Sequence, residues 1–152
     1  MATFRGNHPA KVDEKGRLKL PAAFKQLMDA EHVSQFYITS TDGTSAEIWP
    51  LPQWEQQEKD FTDTRSTMDV SVQKYITITS YYGQQVEIDS QGRVTLPQKL
   101  REKGKLDAEV VVLGKLVYLE VQNEKEYEGR LPSMEMTADD RKSVAAIVRL
   151  HS

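Results

Sequence analysis

The chain has no cysteine, which excludes disulfides, a thiolate metal site and a cysteine nucleophile. The absence suits a reducing cytosol. No run approaches the roughly 18 consecutive apolar residues that read as a membrane span. The opening segment MATFRGNHPAKVDEKGR has no apolar h-region, so no secretion signal is expected. No G-x-S-x-G, phosphate loop or HExxH is present. His8, His32 and His151 stand at no metal or catalytic spacing. The expectation is therefore a non-enzyme without catalytic residues, metal, cofactor or small-molecule substrate. A dominant charge of one sign is missing too. The 20 Lys and Arg face 23 Asp and Glu, a net charge of −3, which alone argues mildly against nucleic acid.

What is present is segregated charge and a duplication. Residues 5–25 carry Arg5, Lys11, Lys15, Arg17, Lys19 and Lys25 against Asp13 and Glu14, a net +4. Residues 91–105 carry Arg93, Lys99, Arg101, Lys103 and Lys105 against Glu102, again +4. Acids gather at Glu55 to Asp69 and at Glu120 to Asp140. Such segregation favours an anionic partner at one face, although lysines on a solvated surface also produce it. Both basic regions fall on one repeated unit. VDEKGRLKLPAAFKQ begins at Val12, and IDSQGRVTLPQKLRE begins at Ile88. Asp13, Gly16, Arg17, Leu20 and Pro21 recur as Asp89, Gly92, Arg93, Leu96 and Pro97, each 76 residues on. One structural unit is presented twice. In a chain of 152 residues each unit has a marginal core, so the halves are expected to pack together or oligomerise.

Within each unit, apolar alternation on both sides of the motif reads as two half-buried strands joined by a turn. Val86, Ile88, Val94 and Leu96 mark them in the second unit, and Val12, Leu18 and Leu20 in the first. Gly16 and Gly92 sit where the turn needs positive φ. Pro21 and Pro97 suit the first position of short helices. The second helix places Leu96 and Leu100 inward, leaves Lys99, Arg101 and Lys103 in water, and stops at Gly104. Phe24 and Leu27 are the inward side chains of the first. Asp42–Gly43 and Gly114–Lys115 then mark hairpins. Trp49, Trp54 and Tyr127 read as core or subunit contacts rather than base-stacking platforms. Pro52–Asp60 is compatible with helix. Met68–Tyr82 holds Val70, Val72, Ile76 and Ile78, whose propensity favours strand, while its acidic start and length also allow a helix. From Thr137 the tail reads as a helix, capped by Thr137, with Asp139 and Asp140 in its first turn and an apolar stripe of Val144, Ile147 and Val148.

The doubled D-x-x-G-R-x-x-L-P motif, each copy followed by a basic helix and a hairpin, resembles the swapped-hairpin domains of the AbrB/MazE/SpoVT superfamily. Two tandem copies, opening with FRGNHPAKVDEKGRLKLP and followed by Trp49-Pro-Leu-Pro-Gln-Trp54, are similar to the MraZ family. The resemblance implies an α+β fold of two pseudo-symmetric, β-barrel-like swapped-hairpin units with flanking helices. The repeats would span 5–52 and 81–124, with a helical connector over 53–80 and a helical tail over 125–152. In that family the segment before the second repeat is helical, which implies helix near Met68–Tyr82. The resemblance also implies a cytoplasmic, nucleoid-associated transcriptional regulator of the division and cell-wall gene cluster. Its partners would be double-stranded DNA carrying repeated promoter boxes and further copies of itself in a ring, with no membrane.

The residue chemistry is compatible with DNA. Arg17 and Arg93 flank tight turns, and a guanidinium fork grips phosphate or pairs with guanine O6 and N7. Lys15, Lys19 and Arg5 are candidate phosphate contacts. Asp13 and Asp89 either accept turn N–H groups or hold the Arg in place. Gly16 and Gly92 are structural, and Arg93 serves either DNA or assembly. Gln91 and Thr95 replace Lys15 and Lys19 in the second unit, so the first is expected to dominate DNA contact. The alternatives are a MazE-like antitoxin or interaction module, and a purely structural ring.

Overall fold

The computed structural model describes residues 3–62 and 68–151. Both repeats begin alike. Strand β1 (Asn7–Lys11) enters the Gly16 turn and leaves it as β2 (Arg17–Lys19), followed by helix α1 (Ala22–Ala30) and the hairpin β3 (Gln35–Thr39) and β4 (Ala46–Pro50). After helices α2 (Leu51–Thr62) and α3 (Val70–Tyr81) the pattern returns as β5 (Gln84–Glu87), β6 (Arg93–Thr95), α4 (Gln98–Lys103), β7 (Glu109–Gly114) and β8 (Leu119–Asn123). Helix α5 (Glu124–Arg130), a 3-10 turn and α6 (Ala138–His151) complete the described chain. Residues 63–67 of the expected connector and Ser152 of the expected tail lie outside the described residues.

Gly16 and Gly92 adopt φ of 80° and 79°. The prolines stand one residue earlier than expected. Pro21 and Pro97 are N-caps with ψ of 139° and 137°, and their carbonyls accept the first helical N–H bonds, from Lys25 and Arg101. Gly104 also differs from expectation. It caps α4 at φ −87°, and the left-handed residue is the next one, Lys105. Glycine is needed at 104 because a Cβ would lie 2.5 Å from the Thr44 carbonyl oxygen. Lys105 lies 73 residues after His32, which also has positive φ. The same interval separates β4 from β8 and α2 from α5. The offset falls from 76 to 73 because α1 has nine residues and α4 six.

The strands do not pair as the hairpin reading implies. Across the Gly16 turn the two arms are joined by the isolated bridge Val12↔Leu18, and β5 and β6 do not pair across the Gly92 turn. Instead β1 pairs with β7, β5 pairs with β3, and β2 pairs with β6. Two antiparallel sheets result: a six-stranded sheet ordered β1-β7-β8-β4-β3-β5 and the ribbon β2-β6. Exchanging the two repeats reverses the sheet order, so a pseudo-twofold axis runs between β4 and β8 and between β2 and β6. The pairs Glu47↔Glu120 and Leu18↔Val94 lie on it. The hairpin swap occurs inside one chain, and β1 and β5 are sheet edges, so the described strands do not close into a barrel.

Interlocking solves the small-core problem. One cluster joins Leu18, Leu20, Val94 and Leu96, on and beside the ribbon, to Ile38, Ile48, Val112, Leu119 and Val121 of the sheet. Phe24 and Leu100 add the helices. Each large apolar side chain buried this way contributes about 1.5–3 kcal/mol. Of the three aromatics read as core or subunit contacts, Trp49 and Trp54 are buried and Tyr127 is half-buried. Trp54 of α2 stacks on Tyr37 at 4.6 Å, and Trp49 stacks on Tyr118 at 4.6 Å. Residues 70–81 are helical despite their β-branched content. The Asp69 side chain accepts from Ser71 N and Val72 N, and the Thr79 carbonyl accepts from Tyr37 Oη and Thr39 Oγ1. Cap and sheet contacts outweigh propensity. Thr137 caps α6 reciprocally with Asp140, while Val144, Ile147 and Val148 remain half or more exposed. Among the described residues, no helix is long and apolar enough to cross a membrane, and no group of three or more His, Cys, Asp or Glu is placed to hold a metal ion.

Candidate nucleic-acid interface

Each Gly turn is organised by its aspartate. Asp13 Oδ1 accepts from Lys15 N at 3.0 Å and from Arg17 N at 2.9 Å, while Oδ2 accepts from Arg17 Nε at 2.8 Å. Asp89 Oδ1 accepts from Gln91 N at 2.9 Å and from Arg93 N at 2.8 Å, and its Oδ2 from Arg93 Nε at 2.8 Å. Each carboxylate thus closes its turn and holds the arginine. The Arg17 backbone N–H holds the Asp13 carboxyl below the usual carboxylate range, with its guanidinium adding to the effect. The Arg93 N–H does the same for Asp89. Both aspartates stay ionised at neutral pH.

The ribbon register assembles the cations. Arg17 stands opposite Thr95, Leu18 opposite Val94, and Lys19 opposite Arg93. Leu18 and Val94 point into the core, so by strand alternation Arg17, Lys19, Arg93 and Thr95 share the outward face. Lys15 is exposed at the first turn, where the second carries Gln91. The structure brings Arg17, Lys19 and Arg93 together, with Lys15 beside them. Arg5 lies elsewhere, on the sheet edge: its backbone lies close against Gly114, and the neighbouring Gly6 carbonyl accepts Gly114 N. Because Lys19 faces Arg93, its charge serves the second turn as well as the first.

The two turns are stitched across the axis. Leu96 N donates to the Gly16 carbonyl at 2.8 Å, and Leu20 N donates to the Gly92 carbonyl at 3.0 Å. Side chains cross as well. Arg101 was expected in water, yet it is half-buried and lies against Gly16, where an added Cβ would meet its Cζ. Lys25, its equivalent, lies against Gly92, where an added Cβ would sit 3.0 Å from Lys25 Cδ. The basic residue at this repeated position was visible in the sequence. Its contact with the other repeat's glycine was not.

Two interlocked copies of a strand–turn–strand–helix–hairpin unit, each presenting an aspartate-clamped arginine on a shared ribbon, define the class: a tandem-repeat α+β protein with a pseudo-twofold basic face. A family profile described as "MraZ protein, putative antitoxin-like" matches residues 3–72 and 83–144. A protein of Acidobacterium capsulatum named transcriptional regulator MraZ is 49% identical over 142 residues, covering 93% of this chain and 97% of its own length. Its namesake in Koribacter versatilis is 42% identical, with 93% and 97% covered. The namesake in Thiobacillus denitrificans is 30% identical, with 84% and 86% covered. The chain belongs to the MraZ family.

Proposed function

We propose that this protein is a sequence-specific, double-stranded-DNA-binding transcriptional regulator, reading repeated promoter boxes of the division and cell-wall gene cluster as a ring-like homo-oligomer. The observation that carries the reading is the ribbon face, where the guanidinium of Arg17 and that of Arg93 each meet an aspartate through Nε and, among the described residues, through no other nitrogen. That bond fixes the direction of the guanidinium and leaves its terminal nitrogens for a phosphate or a guanine edge. Lys15 and Lys19 supply phosphate contacts. The repeats, 5–52 and 81–124, form the reading unit, 53–80 the connector and 125–152 the tail. One protomer offers few contacts, and linking several on matching boxes multiplies them through effective concentration. The protein would work in the cytoplasm on the nucleoid, without catalysis.

Fluorescence anisotropy with a duplex from upstream of its own gene tests the reading. Contacts from Lys15, Arg17, Lys19 and Arg93 give a log–log salt slope of at least about 3.6 in magnitude for each protomer. Affinity then falls at least about a hundredfold between 50 and 200 mM salt. Affinity independent of salt over that range contradicts the reading. A second reading, an antitoxin-like interaction module, draws on the exposed stripe Val144, Ile147 and Val148 of α6. It gains support if the protein binds a polypeptide partner through α6 and shows no affinity for the duplex.

A further inference from the structure

The geometry points to Arg101, contributed by the second repeat, as a phosphate-gripping residue of the first repeat's turn. This inference rests on the DNA-binding reading above. An added Cβ on Gly16 would collide with both Cζ and Nε of Arg101, so the guanidinium rests on the turn that positions Arg17. It is anchored there, since Arg101 Nε donates to the Leu96 carbonyl at 3.0 Å and Leu96 N donates to the Gly16 carbonyl at 2.8 Å. The first turn is thus a composite of both repeats.

Among the described residues no carboxylate pairs with Arg101. Its terminal nitrogens meet no partner among the described residues and are not sealed from solvent, so an anionic group arriving from outside can reach them. The pseudo-equivalent residue behaves differently. Lys25 lies against Gly92 through its aliphatic Cδ and Cε, and its Nζ is taken by Asp29 Oδ2 at 2.8 Å. The pseudo-twofold is therefore broken in charge: the first turn gathers Lys15, Arg17 and an Arg101 that meets no carboxylate among the described residues, whereas the second has Gln91, Arg93 and a Lys25 held by Asp29. Arg101 lies against the main chain of the turn, so we assign it a phosphate and leave base edges to Arg17. Phosphate contacts carry no sequence preference.

The test uses the full chain and anisotropy titrations with the upstream duplex and a scrambled duplex of equal composition, each over a range of salt. Arg101→Gln should lower the magnitude of the salt slope by about 0.9 and weaken both duplexes about eightfold at 0.1 M salt. Lys25→Gln should leave the slope unchanged, and Arg101→Lys should retain it. Affinity lost at an unchanged slope marks a merely structural role and overturns the assignment, as does wild-type binding. Arg17→Ala in the same assay separates the two levels. If Arg17→Ala binds normally, the DNA-binding reading fails; if it loses binding while Arg101→Gln keeps the wild-type slope, only the role of Arg101 fails. Phenylglyoxal labelling of the wild-type protein, read by mass spectrometry, needs no variant to fold. The upstream duplex should protect Arg101 together with Arg17, and undiminished labelling of Arg101 in the complex overturns the inference.

Discussion

Replacing either turn glycine by alanine separates backbone strain from the contact across the repeats. Gly16 and Gly92 have nearly the same φ, 80° and 79°, so an alanine at each costs about 1–2 kcal/mol for the left-handed conformation. The surroundings differ. At Gly92 the new methyl meets Lys25 Cδ at 3.0 Å, the middle of a flexible chain. At Gly16 it collides with the Arg101 guanidinium, and Arg101 must leave the Leu96 carbonyl to which it donates at 3.0 Å. Losing that bond adds about 0.5–1.5 kcal/mol. Gly16→Ala should therefore be the less stable variant by about 1 kcal/mol, a difference of roughly 2–4 °C in Tm for a chain of this size. Thermal melts followed by circular dichroism, at equal protein concentration and fixed salt, give the comparison. If the two variants melt together, or Gly92→Ala melts lower, Arg101 does not clasp the first turn as described.

Burial pushes the Glu47 carboxyl up, and Glu120 opposite it adds to the shift, against the Trp49 indole N–H bond at 2.9 Å. The folded state thus holds this proton more tightly than the unfolded chain, so ionisation costs stability as pH rises above the ordinary glutamate range. Glu47→Gln should stabilise at neutral pH by about 0.2–1 kcal/mol, the scale of a facing like-charge pair, and the gain should vanish near about pH 4; equal urea midpoints at both pH values contradict this. Leu116 is exposed with φ 67°, at the position where the first repeat has Gly43, and its bonds to Phe4 are backbone only. Leu116→Gly removes about 1–2 kcal/mol of left-handed strain against about 0.5–1 kcal/mol of glycine entropy, so the net is a gain of up to about 1.5 kcal/mol, and a lower urea midpoint refutes it.

The unit itself was legible in the sequence because turn chemistry is local. Asp13, Gly16 and Arg17 recur as a set, and the positive φ at both glycines follows from residue type alone. The pairing partners were not legible. Alternation assigns Leu18 and Val94 to a buried face but does not say that they oppose each other. That pairing depends on two repeats closing one core. The drop in offset from 76 to 73 was hidden for a related reason: His32 and Lys105, both in the left-handed region, carry no sequence mark of it. At 70–81 the β-branched residues pointed to strand, and only the family resemblance pointed to the helix that the Asp69 cap and the Thr79 contacts secure. Arg101 read as a solvated helix residue because its partner, Gly16, lies in the other repeat.

The central claim is that the β2–β6 ribbon grips DNA, with the first turn dominant. Titration of the upstream duplex with Arg17→Ala and with Arg93→Ala, alongside a mass measurement of each assembly, tests it most directly. Arg17→Ala should abolish specific binding and leave the assembly mass unchanged, while Arg93→Ala should weaken binding less. Wild-type affinity in Arg17→Ala, with the assembly intact, would contradict the claim.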